Sequence, residues 1–142
     1  MNFEISKKSE YAILAMFELA LRGLHTPLNA RKLASEQGLP IRFLEVILNE
    51  LKQGGFVLSL RGKQGGYVLA RPANEITLSQ IISFLDTRPT PASGFLPGIV
   101  TLAALVRQAG EAITDIFDQC TLDDLVQREM KSRGALESNY VI

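Results

Sequence analysis

A basic, glycine-rich segment, RGKQGGY at residues 61–67, lies between two apolar runs and is the first place where this sequence could do chemistry. Glycine-rich loops with a cation can cradle phosphate, but the segment has neither GxxxxGK[ST] nor GxGxxG spacing, and no phosphate-binding helix follows it. Its glycines are typical of a hairpin turn, in which glycine permits positive φ. Turn geometry does not explain Arg61 and Lys63, so we interpret them as cations that enter the minor groove of DNA.

A helix that could read DNA bases is predicted just before this segment, over residues 41–53. Its apolar residues repeat at helical spacing and form one stripe: Leu44, Ile47, Leu48 and Leu51. On another face, Arg42 could donate to guanine, Glu45 could accept from cytosine, and Asn49 could read adenine or contact phosphate. The alternative interpretation is a solvated face with an Arg42–Glu45 ion pair, which is worth about 0.3 kcal/mol.

Basic and aromatic residues also occur in the first turns of the two preceding helices. Such groups typically hold backbone phosphates and position a protein without reading sequence. Solvated helix faces are the competing account for each of them. The predicted DNA-contacting residues are Lys7, Lys8, Tyr11, Arg31, Lys32, Arg42, Phe43, Glu45, Asn49, Ser59, Arg61 and Lys63.

Other reactive chemistry is scarce in this chain. His25 is the only histidine and has no partner at metal-ligand spacing. Cys120 is the only cysteine; it is interpreted as a small buried residue, and it excludes an intramolecular disulfide. No catalytic triad and no metal-spaced cluster can be assembled, so we predict neither an enzyme nor a cofactor or metal site.

Length and composition point to a globular protein of the cytoplasm, and the charges divide it into two unlike halves. The 142 residues suit one domain with an appended element, and no apolar run approaches a membrane span. The N-terminus lacks a secretory pattern, and the single cysteine favours a reducing compartment. Although the net charge is zero, ten Lys or Arg face seven Asp or Glu up to residue 75, and five face eight after it. A basic front half suits a binding module, and an acidic back half suits assembly or sensing.

The elements that must position these residues follow from apolar spacing and from capping signals, which are N-caps at Ser6 and Asn29 and a capping box at Thr77 and Gln80. The predicted order is three helices, a two-stranded hairpin, a fourth helix, a loop, a long helix and a short last helix. The fold class is thus mainly α with a small β-hairpin, a winged helix-turn-helix with a long dimerisation helix. We predict a DNA-binding domain at 1–86, a loop or effector-region linker at 87–98, dimerisation helices at 99–132 and a flexible tail at 133–142.

The long helix carries an apolar stripe with little of its own chain left to cover it. Homodimerisation would bury this stripe and would place two recognition helices about 34 Å apart, as palindromic DNA sites require. The predicted interface residues are Leu102, Leu105, Val106, Ala109, Ile113, Ile116 and Phe117.

The stretch from Gly38 to Ile82 resembles the BadM/Rrf-two family of bacterial winged-helix regulators. The matching features are a Leu-Glu pair (Leu44, Glu45), a G-aromatic-V step (Gly55, Phe56, Val57) and the S-x-RG-x-x-GGY wing (Ser59, Arg61, Gly62, Gly65, Gly66, Tyr67). YAI-x-A at 11–15 and I-T-L at 76–78 match as well, and the resemblance extends over roughly residues 3–132. It implies a homodimer built on the long helix, with the recognition helix reading DNA and the wing arginine in the minor groove.

The chain departs from this family where a signal would be sensed. Cluster-binding relatives carry three cysteines and a histidine between the fourth and the long helix, where this chain reads TRPTPASGFLPGIVTLAAL. The usual thiolate-ligated cluster cannot form from that segment. We therefore predict a sequence-specific DNA-binding transcriptional regulator, acting as a homodimeric repressor on palindromic promoter sites. The alternatives are a winged-helix module that docks a protein partner, and a redox or iron–sulfur sensor in which Cys120 is a ligand beside non-cysteine ligands.

Overall fold

The computed structural model describes residues 2–86 and 99–140, with side chains up to residue 135. Within these ranges the chain is mainly helical with one antiparallel hairpin, which confirms the predicted fold class. The predicted loop at 87–98 lies outside the described residues. The elements are α1 (Lys7–Arg22), α2 (Ala30–Gln37), α3 (Ile41–Gln53), β1 (Val57–Leu60), β2 (Gly66–Leu69), α4 (Leu78–Leu85), α5 (Val100–Asp118) and α6 (Leu122–Tyr140).

The first, second and fourth helices begin where a polar side chain can satisfy their free backbone N–H groups. The Ser6 hydroxyl accepts from the backbone N–H of Ser9 at 3.0 Å at the start of α1. Asn29 does the same for Lys32 at 2.9 Å in α2, and Thr77 forms the predicted capping box in α4. Each cap is worth about 1 kcal/mol, so these boundaries are set by the sequence itself.

The core is built around α3, whose predicted apolar stripe is fully buried. Leu44, Ile47, Leu48 and Leu51 each have 0% exposure, and α3 packs against α1, α2 and β1. α2 reaches α3 through a short turn that begins at Gly38, a left-handed residue with φ +67°. This pair of helices is the helix-turn-helix, and its polar face is free because its apolar face fills the core.

The hairpin is attached to the helical body at its second strand. β1 and β2 pair in register from Val57↔Leu69 to Leu60↔Gly66, and Leu28 forms a further bridge to Tyr67. A Cβ on Gly66 would lie 2.6 Å from the Leu28 carbonyl oxygen, so only glycine permits this close approach.

The prediction of a short last helix followed by a flexible tail from residue 133 is wrong. α6 runs for 19 residues and ends at Tyr140. The segment contains strong helix formers, and Gly134, which costs about 1 kcal/mol, is not enough to end it. An i, i+4 ion pair between Glu129 and Arg133 (3.1 Å) supports the helix itself. The guanidinium of Arg133 lies 5.4 Å from the Phe17 ring and joins this part of α6 to α1.

The start of α6 belongs to the same core as the helix-turn-helix. Leu122 is fully buried, and its backbone N–H donates to the Ile76 carbonyl at 2.7 Å. The N–H of Leu78 in turn donates to the Cys120 carbonyl at 2.9 Å. These two bonds join the beginnings of α4 and α6, and α6 packs back onto α1. α5 packs against α4 on one side, where Phe117 contacts the core, but none of its residues is buried.

Candidate nucleic-acid interface

The polar face of α3 is exposed along its length. Arg42, Glu45 and Asn49 are all exposed, as is Phe43, whose ring makes an edge contact with Tyr11 at 5.5 Å between centroids. No ion pair joins Arg42 to Glu45 in the part of the chain that the structure describes. The ion pair of the alternative interpretation is thus not formed. The guanidinium of Arg42 and the carboxylate of Glu45 are both available to bind base edges.

The wing presents its cations at an exposed tip. Ser59, Arg61 and Lys63 are exposed, and Gly62 adopts φ +111°, which the turn requires. Two backbone hydrogen bonds between Leu28 and Tyr67, of 3.0 and 2.9 Å, fix the base of the wing. A fixed base with an extended cationic tip is an arrangement that can enter a DNA groove.

A cleft joins the start of α2 to the wing. It is lined by Lys32 and Asn29 of the α2 N-terminus, by Gln64 and Gly65 of the wing, and by Arg22 and His25 from the end of α1 and the loop after it. The predicted Lys32 thus lies near the wing, and Arg31 is exposed on the same helix. Sequence reasoning missed Arg22, His25 and Gln64, because the Leu28–Tyr67 bridge that brings the loop after α1 beside the wing has no signal in local sequence.

Two predicted phosphate contacts on α1 have partners within the protein. Lys8 is half-buried and forms an ion pair with Glu50 of α3. Lys7 donates to Glu10 at 3.1 Å, and this hydrogen bond, with the charge of Glu10, raises the pKa of Lys7. Lys7 stays exposed, whereas Lys8 is engaged in holding α1 to α3.

Cys120 is poorly placed for metal or redox chemistry. The residue is 8% exposed, and its thiol lies 3.6 Å from the Thr121 carbonyl oxygen, to which it donates. Among residues 2–86 and 99–140, no group of three His, Cys, Asp or Glu side chains could hold a metal ion. A thiolate-ligated cluster does not fit these residues. Over the same residues, no helix is both long and apolar enough to cross a bilayer.

A helix-turn-helix with an exposed polar face, followed by a cationic wing, defines a class: winged-helix, DNA-binding transcriptional regulators, which are not enzymes. The sequence profile of one such family, Rrf2, described as "Iron-dependent Transcriptional regulator", matches residues 5–128. The chain belongs to the Rrf2 family.

Individual relatives agree with this assignment. The HTH-type transcriptional regulator IscR of Pectobacterium carotovorum is 34% identical over 131 residues, which cover 88% of this chain and 80% of the relative. Among solved structures, CymR, the global cysteine regulator of B. subtilis, has a TM-score of 0.80 at 29% identity, covering 89% of this chain and 98% of CymR. T. potens IscR also has a TM-score of 0.80, at 31% identity, covering 93% and 92%.

Proposed function

We propose that this regulator is a homodimer that binds palindromic promoter sites and represses transcription. The observation that carries the dimer is α5, a helix of 19 residues without a buried residue. Leu105 is 57% exposed and Ile116 is 68% exposed, on the stripe that the sequence assigned to the interface. A soluble protein rarely leaves such a stripe uncovered, and a second copy would cover it with the same stripe.

The proposed dimer would present two copies of the α3 face to DNA. Arg42, Glu45 and Asn49 would read bases in the major groove, and Arg61 would enter the adjacent minor groove with Lys63 near the backbone. Arg31, Lys32 and Lys7 would hold phosphates. Bound at a promoter, such a dimer blocks polymerase by occupancy alone, so repression needs no further contact.

The signal that controls binding is proposed to be something other than a thiolate-ligated cluster. The family description mentions iron, and IscR relatives are similar over most of the chain. Against a cluster stand the burial of Cys120 and the lack of Cys and His from residue 87 to residue 105. Oxidant should therefore leave operator binding the same in the parent and in Cys120→Ser.

The experiment that tests the function is recovery of genomic DNA bound by the full chain, followed by gel shift on the recovered motif. We expect a palindrome with half-sites about one helical turn apart, and an affinity that falls steeply with salt because Lys and Arg contacts release counterions. Capture of a protein partner in a salt-insensitive manner, with no preferred DNA sequence, would support the protein-docking alternative instead.

A further inference from the structure

A second cavity lies between α1 and α6, and no residue of α3 or of the wing lines it. It has a volume of about 340 Å³, which is within the range of small-molecule sites. Its walls are apolar and come from α1, α6 and the residue before the α1 cap: Ile5, Ile13, Leu14, Phe17 and Leu125. No lining residue belongs to α5, so the proposed dimer face does not include the cavity.

The rim of this cavity carries three carboxylates, and two of them are in ion pairs. Glu10 pairs with Lys7 at 3.1 Å, and Glu129 pairs with Arg133 at 3.1 Å. Glu18 is half-buried and accepts a hydrogen bond from the neutral Gln37 amide at 2.7 Å. In the described part of the chain, Glu18 takes part in no ion pair. The cavity thus combines an apolar body with one uncompensated negative charge.

We propose that this cavity binds a small apolar amine, with the ammonium group at Glu18 and the apolar body against Phe17 and Leu125. A carboxylate ligand of the same shape is disfavoured, because Lys7 and Arg133 are already paired with Glu10 and Glu129, and the charge of Glu18 would repel it. A neutral ligand would fill the walls and leave Glu18 uncompensated. The amine is the one charge type that satisfies both features.

The amine also weakens operator binding, and this second part rests on the proposed function. Gln37, the partner of Glu18, is the last residue of α2 and directly precedes the turn that leads into α3. An ammonium at Glu18 competes for the carboxylate that holds Gln37. A shift of Gln37 moves the turn before the recognition helix, and coupling of this kind is reciprocal between the two ligands.

Calorimetry of the full chain without DNA tests the binding. The probes are 4-phenylbutylamine, 4-phenylbutanol and 4-phenylbutanoate, which share one body and differ in charge. We expect the amine to bind about tenfold more tightly than the alcohol, as a charge-assisted hydrogen bond provides, and the carboxylate to bind least. Glu18→Gln should abolish the preference for the amine and keep alcohol binding, which shows an intact cavity. Glu75→Gln, an exposed carboxylate outside the cavity, should behave like the parent.

Three results would overturn the site: no binding of any probe, equal binding of all three, or an amine preference that survives in Glu18→Gln. A gel shift then tests the coupling, and the amine should weaken operator binding about fivefold or more in the parent but not in Glu18→Gln. Unchanged operator affinity with bound amine refutes the regulatory part alone. A parent that binds amine but no DNA refutes the proposed function and leaves the site standing.

Discussion

α3 and α5 carry similar apolar stripes but have opposite surroundings. α3 has four side chains at 0% exposure and is enclosed by α1, α2 and β1, whereas α5, which is longer, has no buried residue. The same helical pattern is therefore satisfied within the chain in one case and not in the other. Burial separates an element that stabilises the fold from one whose exposed stripe is the surface of the proposed dimer contact.

The largest effect should come from the buried helix. Leu44→Ala removes a fully buried side chain and should lower the free energy of unfolding by about 2–5 kcal/mol, measured by denaturant titration. Val46→Ala, on the exposed side of the same helix, is the control and should change it by less than about 0.5 kcal/mol. Equal effects of the two variants would mean that α3 is not packed as described.

A substitution on the exposed stripe of α5 should weaken self-association without unfolding the protein. Leu105→Glu should weaken self-association by about a hundredfold or more, since a dimer would bury the introduced carboxylate in both copies. Sedimentation measures this, and circular dichroism should show unchanged helix content.

Ala104→Glu is the matched control, because residue 104 is exposed on the far side of α5. It should leave self-association unchanged. Dimers that persist in Leu105→Glu at the parent concentration would refute the assignment of the stripe as the interface.

Local signals were enough to predict most of the helix-turn-helix. The caps at Ser6, Asn29 and Thr77 and the stripe of α3 depend on residues a few positions apart, and the structure confirms them. The wing glycines were predicted as turn residues, but the need for Gly66 arises from Leu28, nearly 40 positions away, which no local pattern reports.

The features that sequence reasoning missed all depend on contacts between distant segments. Lys8 was predicted to hold phosphate because it lies in the first turns of α1. Its ion pair with Glu50 joins α1 to α3 and has no signal in sequence. The length of α6 was underestimated because residues 133–142 were predicted to be a flexible tail, whereas the helix continues to Tyr140. The contact of Arg133 with the Phe17 ring of α1 joins distant segments and has no signal in local sequence. The residues of the α2–wing cleft are likewise assembled only by the fold.

Substitution of a proposed base-reading residue should change DNA discrimination without changing stability or self-association. Glu45→Ala should reduce discrimination at one base pair by about 1–3 kcal/mol, because a single carboxylate accepts from one cytosine. Competition gel shifts with single-base variants of the operator measure this.

The neighbouring wing contact has a different signature. Arg61→Ala should weaken binding mainly at A/T-rich flanks, where the minor groove is narrow. Glu75→Ala is the control for both variants, and all three should keep the parent's stability and self-association. Unchanged discrimination in Glu45→Ala together with unchanged flank preference in Arg61→Ala would show that the interface lies elsewhere.

The smallest effect is expected where α6 joins the core. The backbone N–H of Thr121 donates to the Asp124 carboxylate at 3.0 Å, and this bond lowers the pKa of Asp124. A lowered pKa in the folded state adds stability above the unfolded pKa of about 4, and this stability is lost as the pH falls through the folded value. The destabilisation caused by Asp124→Asn should thus be present at neutral pH and should shrink below about pH 4. Asp123→Asn, in the same turn but not the acceptor of this bond, should lack that pH dependence; an equal pH dependence in both variants would assign the effect to the helix dipole rather than to the cap.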